Sequence, residues 1–361
     1  MPHKPVRKSK RIQNKRKKGF SWRILTKGTK SRKSMKRAAV TALLFLVSIG
    51  FIGGIQVYRA LTKPSAAASS STAFDIKNTQ IATLAVMSVN DINADPVETE
   101  SISLIFFDTE KKKVVSFEIP LGLTLDVPGR FGSEPYRNIL PLGSLDSGEV
   151  GEGADLVRES LEKLFGFPVD RYLLVEEDYS GPVLETFKLG RSRSLLNLDS
   201  LRGFLTASVT DASISEIYSL YTLVNSLPSD RFIVHENSED FYADSSYVDS
   251  VIRDLTFDSR VAHERASVAV LNGAGVSGAA GFGQRVIENI GGYVVSAGNA
   301  TDLYQETTLI VDSVDSEVAK EIVRFFPIKN IIEKRAFGNI EDIADRVDAT
   351  LVIGIDMAES L

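Results

Sequence analysis

The sequence predicts an α/β protein: a single N-terminal transmembrane helix, then a larger α/β domain and a small C-terminal α/β domain. Three observations predict it. Residues 38–58, AAVTALLFLVSIGFIGGIQVY, contain no Asp, Glu, Lys or Arg. As a helix they would span roughly 31 Å, close to the hydrocarbon thickness of a bilayer, with their backbone hydrogen bonds satisfied internally. Beyond them, short apolar runs bounded by turn residues alternate with segments of helical periodicity, the pattern that builds α/β layers. The last stretch, 266–357, presents that alternation in βαββαβ order.

Charge orients the anchor. Residues 1–37 hold 16 Lys or Arg and no acid. The other 26 basic residues and all 47 acids lie beyond residue 37, so a total of −5 separates into a cationic tail and a remainder at −21. Cytoplasmic flanks of membrane helices retain Lys and Arg. The amino terminus is therefore expected inside, as a basic disordered tail, and the carboxy terminus outside. Such a tail can attract nucleic acid or anionic lipid, but topology accounts for its charge and no specific nucleic-acid partner is expected. The apolar core is longer than the roughly 7–15 residues of a cleaved signal peptide, and its basic lead is long. An uncleaved anchor is expected, although Ala66, Ala67 and Ala68 resemble a cleavage site. Residues 59–74, with TKPSAAASSST at 62–72, read as a linker of small residues.

The chain has no cysteine, which removes disulfides, thiol nucleophiles and cysteine metal sites. His3, His235 and His263 stand far apart, in no metal-ligand spacing.

The larger domain is expected over 75–256. Residues 81–89 (IATLAVMSV), 101–107 (SISLIFF) and 114–119 (VVSFEI) read as buried strands, with a hairpin turn at 108–112 between the last two. A Pro/Gly loop is expected over 120–148. Residues 154–165 have Val157, Leu161, Leu164 and Phe165 on one helical face, Gly166 in the C′ position and Pro168 beyond it. A strand follows at 172–175 and a helix is expected at 198–205. Ser213 and Glu216 form a capping box that opens another helix. A strand at 231–235 and a helix at 247–255 lead to a connector at 257–265.

In the C-terminal domain, strands are expected at 267–271, 293–296, 307–311, 331–334 and 350–355. Helices are expected at 278–290, stopped by Gly291 and Gly292, and at 317–326, stopped by Pro327.

The most specific-looking motif is Gly273-Ala274-Gly275-Val276-Ser277-Gly278, which satisfies G-x-G-x-x-G between a strand and a helix. In a dinucleotide site those glycines admit a pyrophosphate at the helix N-terminus. No acid follows at the end of the next strand to bind a ribose, and the domain is short for a full dinucleotide fold. Gly273, Gly275 and Gly278 therefore read as a structural turn with no cofactor. Glu98 and Glu100 precede a strand, and Glu176, Glu177 and Asp178 follow one. Such acids can bind Mg²⁺ or transfer protons, and equally form a solvated edge. Arg130 and Arg137, in the Pro/Gly loop, are candidates to face a phosphate. The chain has no G-x-S-x-G elbow and no P-loop lysine motif.

The segments VAVLNGAGVSGAAGFGQRVIENIGGYVV (268–295), NATDLYQETTLIV (299–311) and DATLVIGID (348–356) resemble the LytR C-terminal domain of the LytR-CpsA-Psr envelope family. No catalytic residues are associated with that domain. NILPLGSLDSGEVGEGADLVRESLEKLFGFPVDRYLLVE (138–176) is similar to the family's main domain in diverged form. The resemblance implies an extracytoplasmic protein. In the family's enzymes it implies transfer of polyprenyl-pyrophosphate-linked glycopolymers to the wall, with acids and Mg²⁺, arginines at the pyrophosphate, and the lipid tail in a tunnel. This chain departs from that pattern. Glu98-Thr99-Glu100 stands where the family has Arg-x-Asp, so only Glu100 can replace the aspartate. Ile119-Pro120-Leu121-Gly122 stands where the family has Ile-Pro-Arg-Asp. The expected function is a non-catalytic binding or assembly module of the envelope, with the membrane and an envelope glycopolymer or protein as partners. The alternatives are a glycopolymer phosphotransferase with a rearranged site at Glu100, Arg130 or Arg137, the only reading that needs Mg²⁺, and an envelope-related transcriptional attenuator.

Overall fold

The computed structural model describes residues 80–190, 207–236, 238–326, 328–334 and 341–358. The expected tail at 1–37, anchor at 38–58, linker at 59–74 and helix at 198–205 lie outside these residues. Among the described residues, no helix is long and apolar enough to cross a membrane.

The first α/β domain is built on a mixed six-stranded sheet. Strand β1 (Ile81–Val89) is buried along its whole length. Ile81, Ala85, Met87 and Val89 face one core, and Ala82, Leu84 and Val86 face the other. Such burial on both faces produces a nearly continuous apolar run rather than alternation. β2 (Thr99–Asp108) and β3 (Lys113–Ile119) follow as antiparallel neighbours. In the turn between them the Lys111 amide donates to Asp108 Oδ1 at 2.7 Å.

The expected loop at 120–148 is largely regular structure. It holds a small hairpin, β4 (Thr124–Val127) with β5 (Gly132–Pro135), and then helix α1 (Tyr136–Ser147). Composition conceals the helix because Pro141 lies inside it, where proline removes a backbone donor. Packing supplies what propensity lacks. Tyr136, Ile139 and Leu140 are fully buried, and the Tyr136 hydroxyl donates to the Ser160 carbonyl at 3.1 Å. Helix α2 (Val150–Phe165) lies against α1 and ends at Gly166, whose φ of 56° is the left-handed C-cap geometry.

Strand β6 (Arg171–Glu176) runs parallel to β1. Helix α3 (Glu177–Leu189), short strand β7 (Ser208–Thr210) and helix α4 (Ile214–Asn225) follow. The Ser213/Glu216 capping box forms as expected, with both reciprocal hydrogen bonds. Strand β8 (Phe232–Glu236) closes the sheet, whose order is β7-β6-β1-β2-β3-β8. Helices α5 (Glu239–Ala243) and α6 (Ser245–Thr256) then cross back. Helices α1, α2 and α6 cover one face of the sheet, and α3 and α4 cover the other. The connector contains its own helix, α7 (Ser259–Glu264).

The C-terminal domain has five strands in the order β10-β9-β13-β11-β12. They are β9 (Ser267–Asn272), β10 (Tyr293–Asn299), β11 (Thr308–Val311), β12 (Asn330–Glu333) and β13 (Ala349–Ile353). Helix α8 (Ala279–Asn289) joins the parallel pair β9 and β10, and α9 (Glu317–Phe325) joins β11 and β12. β13 inserts at the centre, parallel to β9 and antiparallel to β11. All five expected strands form, so the full order is βαββαββ, with the last strand of the chain beyond the βαββαβ unit, and a short helix α10 (Ile355–Ala358) follows it.

Candidate functional site

The C-terminal ends of β1, β3, β6 and β8 and the N-terminal end of β2 share one edge of the larger sheet. Glu100 lies on it. Ser88 pairs with Ser101 and Val89 with Thr99, so Glu100 is the additional residue of a β-bulge. A bulge re-aims its side chain, and Glu100 is exposed. The β2–β3 register ends at Ile102↔Ile119; continued by two residues, it sets Glu100 across from Leu121.

Arg137 reaches the same place from the first turn of α1. Its backbone amide donates to the Leu121 carbonyl at 3.1 Å and its Nε approaches the same oxygen at 3.4 Å. A Cβ built on Gly122 would lie 2.5 Å from Glu239 Oε1 and 3.6 Å from Arg137 Nη2. Arg137 and Glu239 therefore converge on the backbone of 121–122, where the chain itself offers neither cation nor acid. Arg130 is elsewhere. It pairs with Asp146 near the far end of α1, about 13 Å along the helix from Arg137. The structure brings Glu100 and Arg137 to one edge and excludes Arg130 from it. Glu239 had no distinguishing signal in the sequence, because it reaches the edge from a helix more than a hundred residues downstream.

The edge is acidic. Glu98, Glu100, Glu177, Asp178, Glu239 and Asp240 are exposed along it. Glu177 and Asp178 occupy the first turn of α3, and Glu239 and Asp240 the first turn of α5. Helix N-termini attract anions, and here carboxylates of the chain already sit at them. The buried Lys188 ammonium is engaged by Glu118 at 2.5 Å. Among the described residues, no three histidines or carboxylates converge in a way that could hold a metal ion.

The opposite edge holds buried ionisable groups that the sequence did not single out. Asp211 accepts from the Tyr172 amide at 2.7 Å, and its second carboxylate oxygen is buried without a hydrogen-bond donor. Burial pushes the Asp211 carboxyl up to about 7, against the pull of the Tyr172 amide, Arg171 and Arg158, and Asp155 raises it further. Partial burial likewise lifts Glu159, a half-buried carboxyl, to about 7, against Arg158 and with the neighbouring Glu162, Asp155 and Glu152 raising it further. A carboxyl whose pKa rises on folding favours the protonated folded state. Its contribution is complete below the unfolded value near 4 and is lost as pH rises through about 7. Unfolding free energy is therefore expected to fall between pH 6 and pH 8. Asp211→Asn, which keeps an acceptor for the Tyr172 amide, is expected to remove about 1.4 kcal/mol of that fall. Denaturation midpoints at the two pH values measure it.

In the C-terminal domain, Asn272 organises the glycine turn. Its Oδ1 accepts from the Ala274 and Gly275 amides at 3.2 and 3.0 Å, and its Nδ2 donates to the Val276 carbonyl at 2.8 Å. Gly275 and Gly278 have φ of 71° and 89°, a region that favours glycine. Gly273 is needed for closeness, since a Cβ there would lie 2.8 Å from Val352 and 2.9 Å from Tyr304. The Tyr304 ring therefore packs directly over the first glycine of the motif.

Residues 265–356 match the family described as LytR cell envelope-related transcriptional attenuator. The match covers the C-terminal domain. No curated protein matches the chain. Among solved structures, Bacillus subtilis TagV is similar over 44% of this chain and 85% of its own, with 13% identity and a TM-score of 0.32. B. subtilis TagT is similar over 50% and 86%, with 14% identity and a TM-score of 0.31. The protein gbs0355 of Streptococcus agalactiae is similar over 46% and 80%, with 11% identity and a TM-score of 0.34.

Proposed function

We propose that this chain is a single-pass, membrane-anchored envelope protein whose extracytoplasmic part is a non-catalytic binding or assembly module. The charge division at residue 37 and the apolar run after it support the anchor and its orientation. The family match of residues 265–356 supports the envelope setting. Its partners are the membrane and an envelope glycopolymer or protein.

The observation that carries the non-catalytic reading is the electrostatics of the sheet edge. A pyrophosphate transition state requires cations at the developing charge. Glu98, Glu100, Glu177, Asp178, Glu239 and Asp240 line this edge. Arg137 stands among them beside Glu239, and Leu121 and Gly122 supply no charge. The layer beneath is filled with rings: Phe106 meets Phe117, Phe165 and Phe167 with centroids 5.7, 6.2 and 5.7 Å apart. That packing favours a scaffold over a holder of lipid tails.

One observation favours the rival reading, a glycopolymer phosphotransferase. Arg137 and Glu239 bring to Gly122 the cation and the acid that its own segment lacks. Carboxylates such as Glu100 and Glu239 would hold the Mg²⁺ this route needs together with substrate phosphates, since among the described residues no three acids or histidines converge to hold a metal ion by themselves. The two readings part on one assay, in which the full chain is incubated with a polyprenyl-pyrophosphate-linked glycan and Mg²⁺. No turnover above the uncatalysed rate is expected. Turnover that Glu100→Ala, Arg137→Ala or Glu239→Gln lowered by about 10²-fold or more would replace the binding module with the enzyme. The attenuator reading is tested by DNA binding of the full chain at physiological salt, where none is expected.

A further inference from the structure

We propose that the C-terminal domain is an intramolecular brace: it terminates helix α2 of the first domain and completes that domain's core, so that the two act as one body.

The last carbonyls of a helix have no partners within it and carry the negative end of its dipole. At the end of α2 those carbonyls are bound by side chains of the other domain. Arg285 on α8 donates from Nη1 to the Lys163 carbonyl at 2.6 Å and from Nη2 to the Leu164 carbonyl at 2.7 Å. Its Nε donates to Asp249 on α6 at 2.6 Å, which fixes the guanidinium plane. One turn later, Asn289 Nδ2 donates to the Gly166 carbonyl at 2.9 Å and approaches that of Phe165 at 3.4 Å. Asn289 is fully buried, and its own carbonyl accepts from the Thr256 hydroxyl at 2.9 Å. A cation with a fixed planar fork is well matched to paired carbonyls at the negative end of a helix.

Apolar groups cross the same seam. Ile290, which follows α8, is buried within the first domain's core, and Phe325 of α9 packs against that core. The Phe325 ring meets Phe167 at 5.1 Å. Arg324 donates to the carbonyl of Ile81, the first residue of the central strand, at 2.5 Å. Gly166 must lack a side chain because a Cβ there would lie 2.7 Å from Arg285 Nε. Its conformation and its contact thus serve the seam together. Two domains joined only by a tether would show neither a shared core nor caps supplied across the boundary. The glycine turn lies at the other end of α8, about 16 Å from the seam, so bracing leaves it open to partners.

A protease recognition sequence inserted between Arg265 and Ala266 of the full chain, in detergent, tests this. After cleavage the two pieces are expected to co-migrate on gel filtration. Hydrogen exchange gives a second readout that does not depend on the insertion. Arg285→Ala in the uncut chain is expected to speed exchange of the amides of 163–167 and 169 by about tenfold, with strands β9, β11 and β13 unchanged as evidence of folding. Asn289→Ala is expected to act on the same amides. Pieces that separate after cleavage, or amides at 163–167 and 169 that exchange in both variants at the rate of the unsubstituted chain, would overturn the brace.

Discussion

Phe106→Ala is expected to lower the unfolding free energy by about 3–5 kcal/mol, the range for removing a buried aromatic ring without collapse of the site. Phe106 is fully buried on β2. It meets Phe117 and Phe165 edge-on, and Phe167 at a tilt of 47°. Phe117 meets Phe165 in turn at 5.2 Å and Phe167 meets Phe325 at 5.1 Å, so the rings around Phe106 are each held by a partner other than Phe106, which opposes their collapse into the vacated volume. Such pairs add about 0.5–1.5 kcal/mol each beyond area burial. Chemical denaturation should show a lower midpoint at unchanged slope, the signature of lost stability rather than of an altered unfolded state. Glu100→Ala, on the exposed bulge nearby, should change the unfolding free energy by less than about 0.5 kcal/mol. A loss below about 1 kcal/mol for Phe106→Ala would mean that the layer under the sheet is loosely occupied, and would weaken the scaffold reading.

Gly153→Ala is expected to destabilise by about 2–3 kcal/mol, although in a free helix the same change stabilises by about 1 kcal/mol. The sign is therefore the test. Helices α1 and α2 touch backbone to backbone. A Cβ on Gly153 would lie 2.4 Å from the Leu140 carbonyl and 2.2 Å from Ser144 Oγ, and one on Gly143 would lie 2.8 Å from the Gly153 Cα. Ser144 can rotate, but Leu140 is fully buried within α1 and its carbonyl cannot retreat without moving the helix. Movement of α1 carries Arg137 with it, because that residue is held to the 121–122 segment from the helix's first turn. Gly153→Ala should thus also broaden the amide resonances of 121–123, where a merely local clash would leave them unchanged.

Much of the fold was legible in the sequence because its signals are local. The strand expected at 81–89 is observed at Ile81–Val89. The Ser213/Glu216 box forms, and Gly166 ends its helix with positive φ. Caps, turns and apolar runs depend on residues within a few positions of one another. Helix α1 was hidden because Pro141 weakens the local signal, and only burial against α2 restores it. The bulge at Glu100 was equally hidden, since an additional residue in a strand shows only against its partner. Of the arginines in the expected loop, Arg137 turned toward the sheet edge and Arg130 away from it, a distinction set by their places at opposite ends of a helix that composition had masked.

By itself, the sequence determined the division into a basic tail, an apolar run and an acidic α/β remainder, because charge and hydropathy are sums over a segment and need no partner. It also determined that Leu121 and Gly122 bring no charge to the edge. Only the tertiary structure decided that Arg137 and Glu239 meet there, that β13 enters the centre of its sheet, and that Arg285 and Asn289 close a helix of the other domain. Each of those contacts joins residues far apart in the chain. Their energies lie in burial, in carbonyls left open by a helix end, and in the absence of a side chain at Gly122 or Gly166, none of which exists until the layers have packed.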